Sequence, residues 1–265
     1  MKVATLSLVG MILFVWPFLG GSPPPYLPTL LVAFAAVAAL VLLEAGTRGL
    51  DSRRLALLAA VAAIDAGLRL AVVTGVGGFS PVFFLILCSG FVFGPTFGFL
   101  AGALSLTVSA FVTGGVGPWL PYQIFAAGWV GVASGLVRGR SLWVLAAVGA
   151  VTGFAFGALL DVWDWSAFYQ GSPGFGWLPG LQPAEALSRF VRFYLATSLA
   201  YDSFRSIGNV LMILLFGAPV IAALARFQRK LTLAVVAEPA TAGFGLQPDV
   251  RSGSSTKGLC GTEDG

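Results

Sequence analysis

Long apolar runs follow one another along this chain, separated by short segments that contain Pro, Gly or Arg. A helix needs about 20 predominantly apolar residues to cross the hydrocarbon core of a bilayer. Apolar residues make up 57% of the chain and charged residues only 10%, so the protein could not cover itself with a polar surface in water. The sequence therefore predicts an all-α, polytopic membrane helical bundle with eight spans, at residues 3–20, 30–43, 55–73, 81–93, 97–113, 119–137, 142–160 and 204–224.

Basic residues are concentrated in alternate loops of this arrangement. The short loops at 21–28, 74–80 and 114–118 contain no Lys or Arg, whereas the loops on the other side carry Lys2, Arg48, Arg53, Arg54, Arg138, Arg140, Arg226, Arg229 and Lys230. Because basic loops stay in the cytoplasm, both termini are predicted to be cytoplasmic in a multi-pass protein of the cell membrane. The net charge of +4 then reflects orientation in the lipid bilayer and not binding of nucleic acid.

Three regions are predicted. Residues 1–45 form an N-terminal pair of transmembrane helices, and the first of them could also be a signal peptide, although no small-x-small cleavage site precedes the prolines at 23–25. Residues 46–230 form a six-helix core, and residues 231–265 form a disordered cytoplasmic tail. Within the core, the outer segment 161–203 contains an amphipathic helix, since apolar residues recur with helical spacing at Leu187, Phe190, Val191, Tyr194, Leu195 and Leu199.

The segment 114–123, with the sequence GGVGPWLPYQ, interrupts two apolar runs. Irregular backbone at membrane depth is tolerated only when it is buried in protein or lines a wet cavity. The segment is therefore either the lip of a ligand site or a tight turn followed by an interfacial aromatic belt.

Ionisable residues inside two predicted spans are the best candidates for function. Asp65 and Arg69 lie four residues apart, so they either pair with each other or face a cavity. Ser198, Asp202, Arg205 and Asn209 form one polar stripe, for which a wet cavity is the favoured explanation.

Several kinds of chemistry lack their residues. The chain has no His, which is the commonest general base and a common metal ligand, and Cys88 and Cys260 lie in different environments. No catalytic residue, metal site or cofactor is predicted, and the sequence contains no Walker motif.

Four segments together resemble a known family: GFSPVFFL at 78–85, FGPTFGF at 93–99, GGVGPWLPYQ at 114–123 and FAAGWVG at 125–131. They look like the substrate-binding S component of actinobacterial energy-coupling factor (ECF) transporters. The stretch 197–199 with Asp202, Arg205 and Asn209 resembles the last helix of that family.

The resemblance implies a six-helix S-component-like core that binds a vitamin or related micronutrient at its outer face. It also implies two kinds of partner, an ECF transmembrane coupling subunit and two ABC-type ATPases. The family presents an Ala-x-x-x-Ala motif to the coupling subunit, and the matching positions here are Ala59, Ala62, Ala63 and Ala66. The two additional N-terminal helices depart from the family pattern.

The ligand site is expected between the 114–118 loop, the sixth span and the eighth, with Arg69, Trp119, Gln123, Asp202, Arg205 and Asn209 as its residues. Aromatic walls suit a ring-bearing ligand, and the arginines suit a carboxylate or phosphate. Cobalamin-like compounds, other B vitamins and queuosine precursors all fit this description. The alternatives are a solitary secondary transporter, in which Asp65 would carry protons, and an intramembrane enzyme.

Overall fold

The structure is a computed structural model that describes residues 2–47, 50–71 and 80–236. Its regular elements in these ranges are all helical, with a short 3-10 helix at Trp16–Leu19. The α-helices are α1 Lys2–Val15, α2 Tyr26–Gly46, α3 Ser52–Ala71, α4 Val82–Phe93, α5 Pro95–Thr113, α6 Leu120–Leu136, α7 Leu142–Phe168, α8 Pro183–Thr197 and α9 Leu199–Val236. The predicted all-α membrane bundle is confirmed.

Five of the helical segments are long and apolar enough to cross a membrane. They are Lys2–Leu19, Tyr26–Gly46, Pro95–Thr113, Leu142–Phe168 and Leu199–Lys230. Of the other three predicted spans, α3 carries charged residues, and α4 and α6 have only 12 and 17 residues. Most of the 74–80 loop, Arg48 and the tail from residue 237 lie outside the described residues.

Helices α5 and α6 form the tightly packed centre of the bundle. A Cβ atom on Gly98 would collide with the carbonyl of Gly131, and one on Gly102 would collide with the carbonyl of Ala127. Small residues allow helix backbones to approach this closely, so dispersion contacts hold α5 against α6 without a solvent-driven hydrophobic effect.

Several helix boundaries differ from the prediction: α2 begins at Tyr26, ahead of residue 30, and α9 continues to Val236, past residue 224 and into the predicted tail. Two further differences involve polar residues. Helix α7 continues to Phe168 instead of ending at residue 160, because Asp161 is buried inside the bundle and does not end the apolar span. Helix α9 begins at Leu199, ahead of the predicted start at 204, and directly follows α8. The polar residues at the start of α9 face α7, so the helix extends through them.

The loops group at two ends of the bundle, as the alternating pattern predicts. At one end, Glu44, Arg54 and Arg138 line a common cavity. At the other end, Trp16 and Pro118 line a cavity with residues of the C-terminal part of α7. The second end is the one predicted to face outward, and it is called the outer end below.

An aromatic cap covers part of the outer end. It is formed by the C-terminal part of α7, the 169–182 loop and α8, and Trp165 and Trp177 are fully buried in it. The amphipathic helix predicted in segment 161–203 is present as α8. Its side chains Ala186 and Phe193 pack into the cap, while Leu187 stays exposed, as expected for a helix that lies against lipid.

The N-terminal pair α1 and α2 packs on α5 and α6, and three tryptophans tie α1 and the following 3-10 helix to the rest. The indole N–H groups of Trp16, Trp129 and Trp177 donate to the Tyr122 hydroxyl at 3.2 Å, the Ser7 hydroxyl at 2.9 Å and the Pro17 carbonyl at 3.2 Å. These two helices are therefore an integrated part of the bundle.

Candidate functional site

A pocket of about 280 Å³ lies between the first turns of α6 and the last turns of α7, at the outer end of the bundle. It brings together two of the predicted site residues, Trp119 and Gln123. Their neighbours in the lining are Tyr122, Leu160, Trp163, Asp164 and Phe168.

The loop before α6 fixes one wall of this pocket. Gly114 ends α5 in the left-handed conformation at φ 67°, and the N–H of Gly115 donates to the Ala110 carbonyl at 2.8 Å. The indole N–H of Trp119 then donates back to the Gly115 carbonyl at 3.0 Å. The glycines of the loop thus serve to position the Trp119 ring.

Three aromatic rings form a continuous wall. The centroids of Trp119 and Trp163 are 5.4 Å apart, and those of Trp163 and Phe168 are 5.1 Å apart, both in edge-to-face geometry. Such an arrangement is the favourable one for aromatic pairs, and it holds the rings in place before a ligand arrives.

Two polar side chains, Gln123 and Asp164, line the pocket. The side-chain oxygen of Gln123 is buried, and no hydrogen bond reaches it from any described residue. Buried polar groups are nearly always paired, so this unpaired oxygen indicates a place for a ligand or water. Asp164 is half-buried, and within the described ranges it forms no ion pair.

The structure does not bring Asp202, Arg205 and Asn209 into this pocket. As predicted, they share one face of α9, and all three are buried, but that face packs on α7. Asn209 donates to the Gly149 carbonyl at 2.9 Å, and Ser206 donates to the Ala150 carbonyl at 2.9 Å.

Arg205 is fully engaged by its surroundings. It pairs with Asp202 and donates to the Gly153 carbonyl at 3.4 Å. Its guanidinium also lies over the rings of Phe156 and Tyr201, 5.5 and 5.2 Å from their centroids. These contacts give the buried guanidinium a counter-charge and an acceptor on α7, so the stripe of α9 links two helices. The second carboxylate oxygen of Asp202 has no hydrogen-bond partner in the described part of the chain.

Two hydroxyls at the cap lie near the carboxylates of this network, Ser198 near Asp161 and Tyr194 of α8 near Asp202. Burial, together with the nearby carboxylate of Asp202, raises the pKa of Tyr194. The phenol therefore stays protonated beside that carboxylate.

Asp65 and Arg69 lie on α3, away from the lining of the pocket. Asp65 is fully buried and accepts a hydrogen bond from Ser105 of α5 at 2.8 Å. Its other oxygen has no partner in the described part of the chain, and neither has one guanidinium nitrogen of Arg69. Of the two predicted alternatives, the ion pair between Asp65 and Arg69 is not formed within the described residues.

The four alanines of the predicted coupling face divide into two pairs. Ala62 and Ala66 are buried, with 2% and 3% of their surface exposed, so they pack inside the bundle and cannot contact a partner. Ala59 and Ala63 are exposed on the opposite face of α3.

Sequence reasoning missed Trp163, Asp164 and Phe168 as site residues, because it placed them beyond the end of the seventh span. It also missed the spacing of Gly149, Gly153 and Gly157. Three glycines four residues apart indicate a close helix contact, and this signal could have identified α7 as the partner of the polar stripe.

Comparison with known proteins found no relative of this chain. The chain matches no protein-family model, and no curated protein or solved structure is significantly similar to it.

Proposed function

We propose that this chain is the membrane-embedded substrate-binding subunit of an ECF-type ABC importer, which captures a vitamin or related micronutrient at the outer face of the cell membrane. The observation that carries the proposal is the pocket below the 114–118 loop. It is concave, lined mainly by aromatic side chains and supplied with a few polar groups, as small-molecule sites are.

Transport through this protein then requires partners. The sequence contains no Walker motif, and in this proposal the energy comes from partners, an ECF coupling subunit and two ABC-type ATPases. The exposed Ala59 and Ala63 offer a surface that another helix can approach closely. Helices α1 and α2 pack on α5 and α6 and leave these two alanines uncovered.

Uptake into membrane vesicles tests the proposal. Vesicles should contain the chain alone, the chain with the coupling subunit and ATPases, or the same complex with an inactive ATPase. Radiolabelled thiamine, riboflavin, biotin and cobalamin form the substrate panel. We expect the chain alone to bind one of these compounds, and uptake to require ATP and the active complex.

A solitary secondary transporter is the second candidate, and Asp65 is the observation that favours it. A buried carboxylate with one unpaired oxygen is typical of proton-carrying sites in membrane proteins. Uptake by the chain alone, driven by a proton gradient and abolished by Asp65→Asn, would support this candidate and contradict the first.

A further inference from the structure

We infer that the pocket between α6 and α7 takes a small, planar organic cation, for which Asp164 is the counter-charge. The inference rests on the proposed function, because it assigns the chemical class of the substrate to the same pocket. It differs from the anionic ligand that the sequence predicts from its arginines.

The charge of the pocket lining favours a cationic ligand. Asp164 is the charged residue in the lining of the pocket, and Lys and Arg are missing from that lining. Its carboxylate has no ion-pair partner among the residues that the structure describes. A cationic ligand would supply the missing charge, whereas an anionic ligand would meet a like charge in a confined space.

The arginines of the outer end are already engaged elsewhere. Arg189 pairs with Glu185 at 2.8 Å and donates to the Gly176 carbonyl at 3.2 Å. Arg192 donates to the Gly174 carbonyl at 3.1 Å, and Arg205 is held by the α7–α9 network. None of these three arginines lines the pocket.

The aromatic wall of the pocket also favours a cationic ligand. The faces of indole and phenyl rings attract cations through their quadrupoles, and tryptophan is the strongest such partner. Trp119, Trp163 and Phe168 line the pocket together with Asp164, so a delocalised cation could contact rings and carboxylate at once. Rings next to a carboxylate form a typical recognition site for ammonium and heteroaromatic cations.

The volume of the pocket and its hydrogen-bonding groups restrict the class of ligand further. The pocket, at about 280 Å³, lies near the low end of the roughly 300–1,000 Å³ of small-molecule sites. That space suits a one-ring compound better than a corrinoid. The unpaired oxygen of Gln123 accepts a hydrogen bond, so the ligand should carry an N–H or O–H donor.

Three probes with the same ring but different charge test the inference. They are 1-methylnicotinamide, a cation, its neutral parent nicotinamide, and the anion nicotinate. Binding to the purified full-length protein in detergent is measured by saturation-transfer NMR and equilibrium dialysis. We expect the cation to bind on the order of tenfold more tightly than the neutral compound, and the anion more weakly than both.

Two variants and one control test whether Asp164 and Trp119 cause the preference for the cationic probe. Asp164→Asn keeps the shape of the side chain and should abolish the difference between cation and neutral probe. Trp119→Leu should weaken binding of the cation several-fold and provides an independent test if Asp164→Asn fails to fold. Glu185→Gln removes the same charge from α8, outside the pocket, and should leave the preference unchanged.

Equal binding of cation and neutral probe, stronger binding of nicotinate, or no binding of the cation would overturn the inference. So would a cation preference that survives in Asp164→Asn. The uptake experiment is separate, because it varies the partners and the energy source. Cation binding combined with uptake that does not depend on an ECF module would therefore contradict the proposed function while leaving the ligand class intact.

Discussion

Gly157 of α7 leaves open the space that the Asp202 carboxylate of α9 occupies, because a Cβ atom on Gly157 would overlap that carboxylate. The same relationship recurs one turn further along the two helices, where Gly153 lies against Ser206. Glycines at every fourth position of α7 thus form the groove that receives the polar stripe of α9.

Gly157→Ala should destabilise the protein. The added methyl group displaces a buried carboxylate and its Arg205 partner, and overpacking of this kind costs about 1–3 kcal/mol. Thermal unfolding in detergent measures the effect. Gly46→Ala is the matched control, since a Cβ atom there meets nothing within 4 Å. An unchanged melting temperature in Gly157→Ala would contradict the close packing of α7 on α9.

Arg205→Ala should act on stability and not directly on the pocket. Removing one member of a buried ion pair leaves Asp202 without its counter-charge, which costs about 3–5 kcal/mol. The double variant Asp202→Asn/Arg205→Met should recover most of the loss, because neither charge is then left unpaired.

Thermal unfolding and binding of 1-methylnicotinamide should be measured on the same samples. The folded double variant is expected to bind the probe like the wild type. A tenfold or greater loss of affinity in that variant, at unchanged stability, would instead show that Arg205 contacts the ligand, as the sequence predicts.

Ala63→Leu and Ala62→Leu provide a matched pair on adjacent residues of α3. Ala63 is exposed, so the larger side chain should leave the isolated protein stable but prevent close approach of the coupling subunit. Ala62 is buried, and leucine there should lower the melting temperature of the isolated chain. Co-purification with the coupling subunit and thermal unfolding separate the two effects. Normal co-purification of Ala63→Leu would exclude this face as the docking surface.

Labelling of single cysteines tests the predicted orientation. In a Cys260→Ser background, Ser172→Cys in the outer cap should react with a membrane-impermeant maleimide on intact cells. Arg140→Cys, in the exposed turn before α7, should react only after permeabilisation. The native Cys88 is buried and should stay unreactive in both cases. The reverse labelling pattern would place both termini outside.

The helices were largely predictable, because apolar runs and helical periodicity are properties of each segment by itself. The helix α8 is an example, since the spacing of its apolar residues predicts it without any knowledge of its neighbours. The single polar face of α9 could be predicted in the same way. What this face packs against depends on helix–helix contacts, which the periodicity of α9 alone does not contain.

The candidate site was predictable only in part, because it also depends on contacts between helices. An irregular loop precedes Trp119 and Gln123, and this local signal predicts them as site residues; both line the pocket between α6 and α7. Asp164 has no comparable signal, because its role depends on where the last turns of α7 lie relative to α6. Arg205 predicts an anionic ligand, but it lies against Asp202 and the Gly153 carbonyl of α7, outside the pocket.

The three tryptophan hydrogen bonds that hold the N-terminal helices have a consequence for biogenesis. Their partners lie 106, 122 and 160 residues apart in the chain. A ribosome that adds about 5–20 residues per second therefore makes α1 and α2 many seconds before the surfaces that receive them. The ion pair of Lys2 with Glu44, at 3.0 Å, joins the two helices to each other without any of these later partners. Docking of α1 is therefore complete only after the segment around Trp177 has been made.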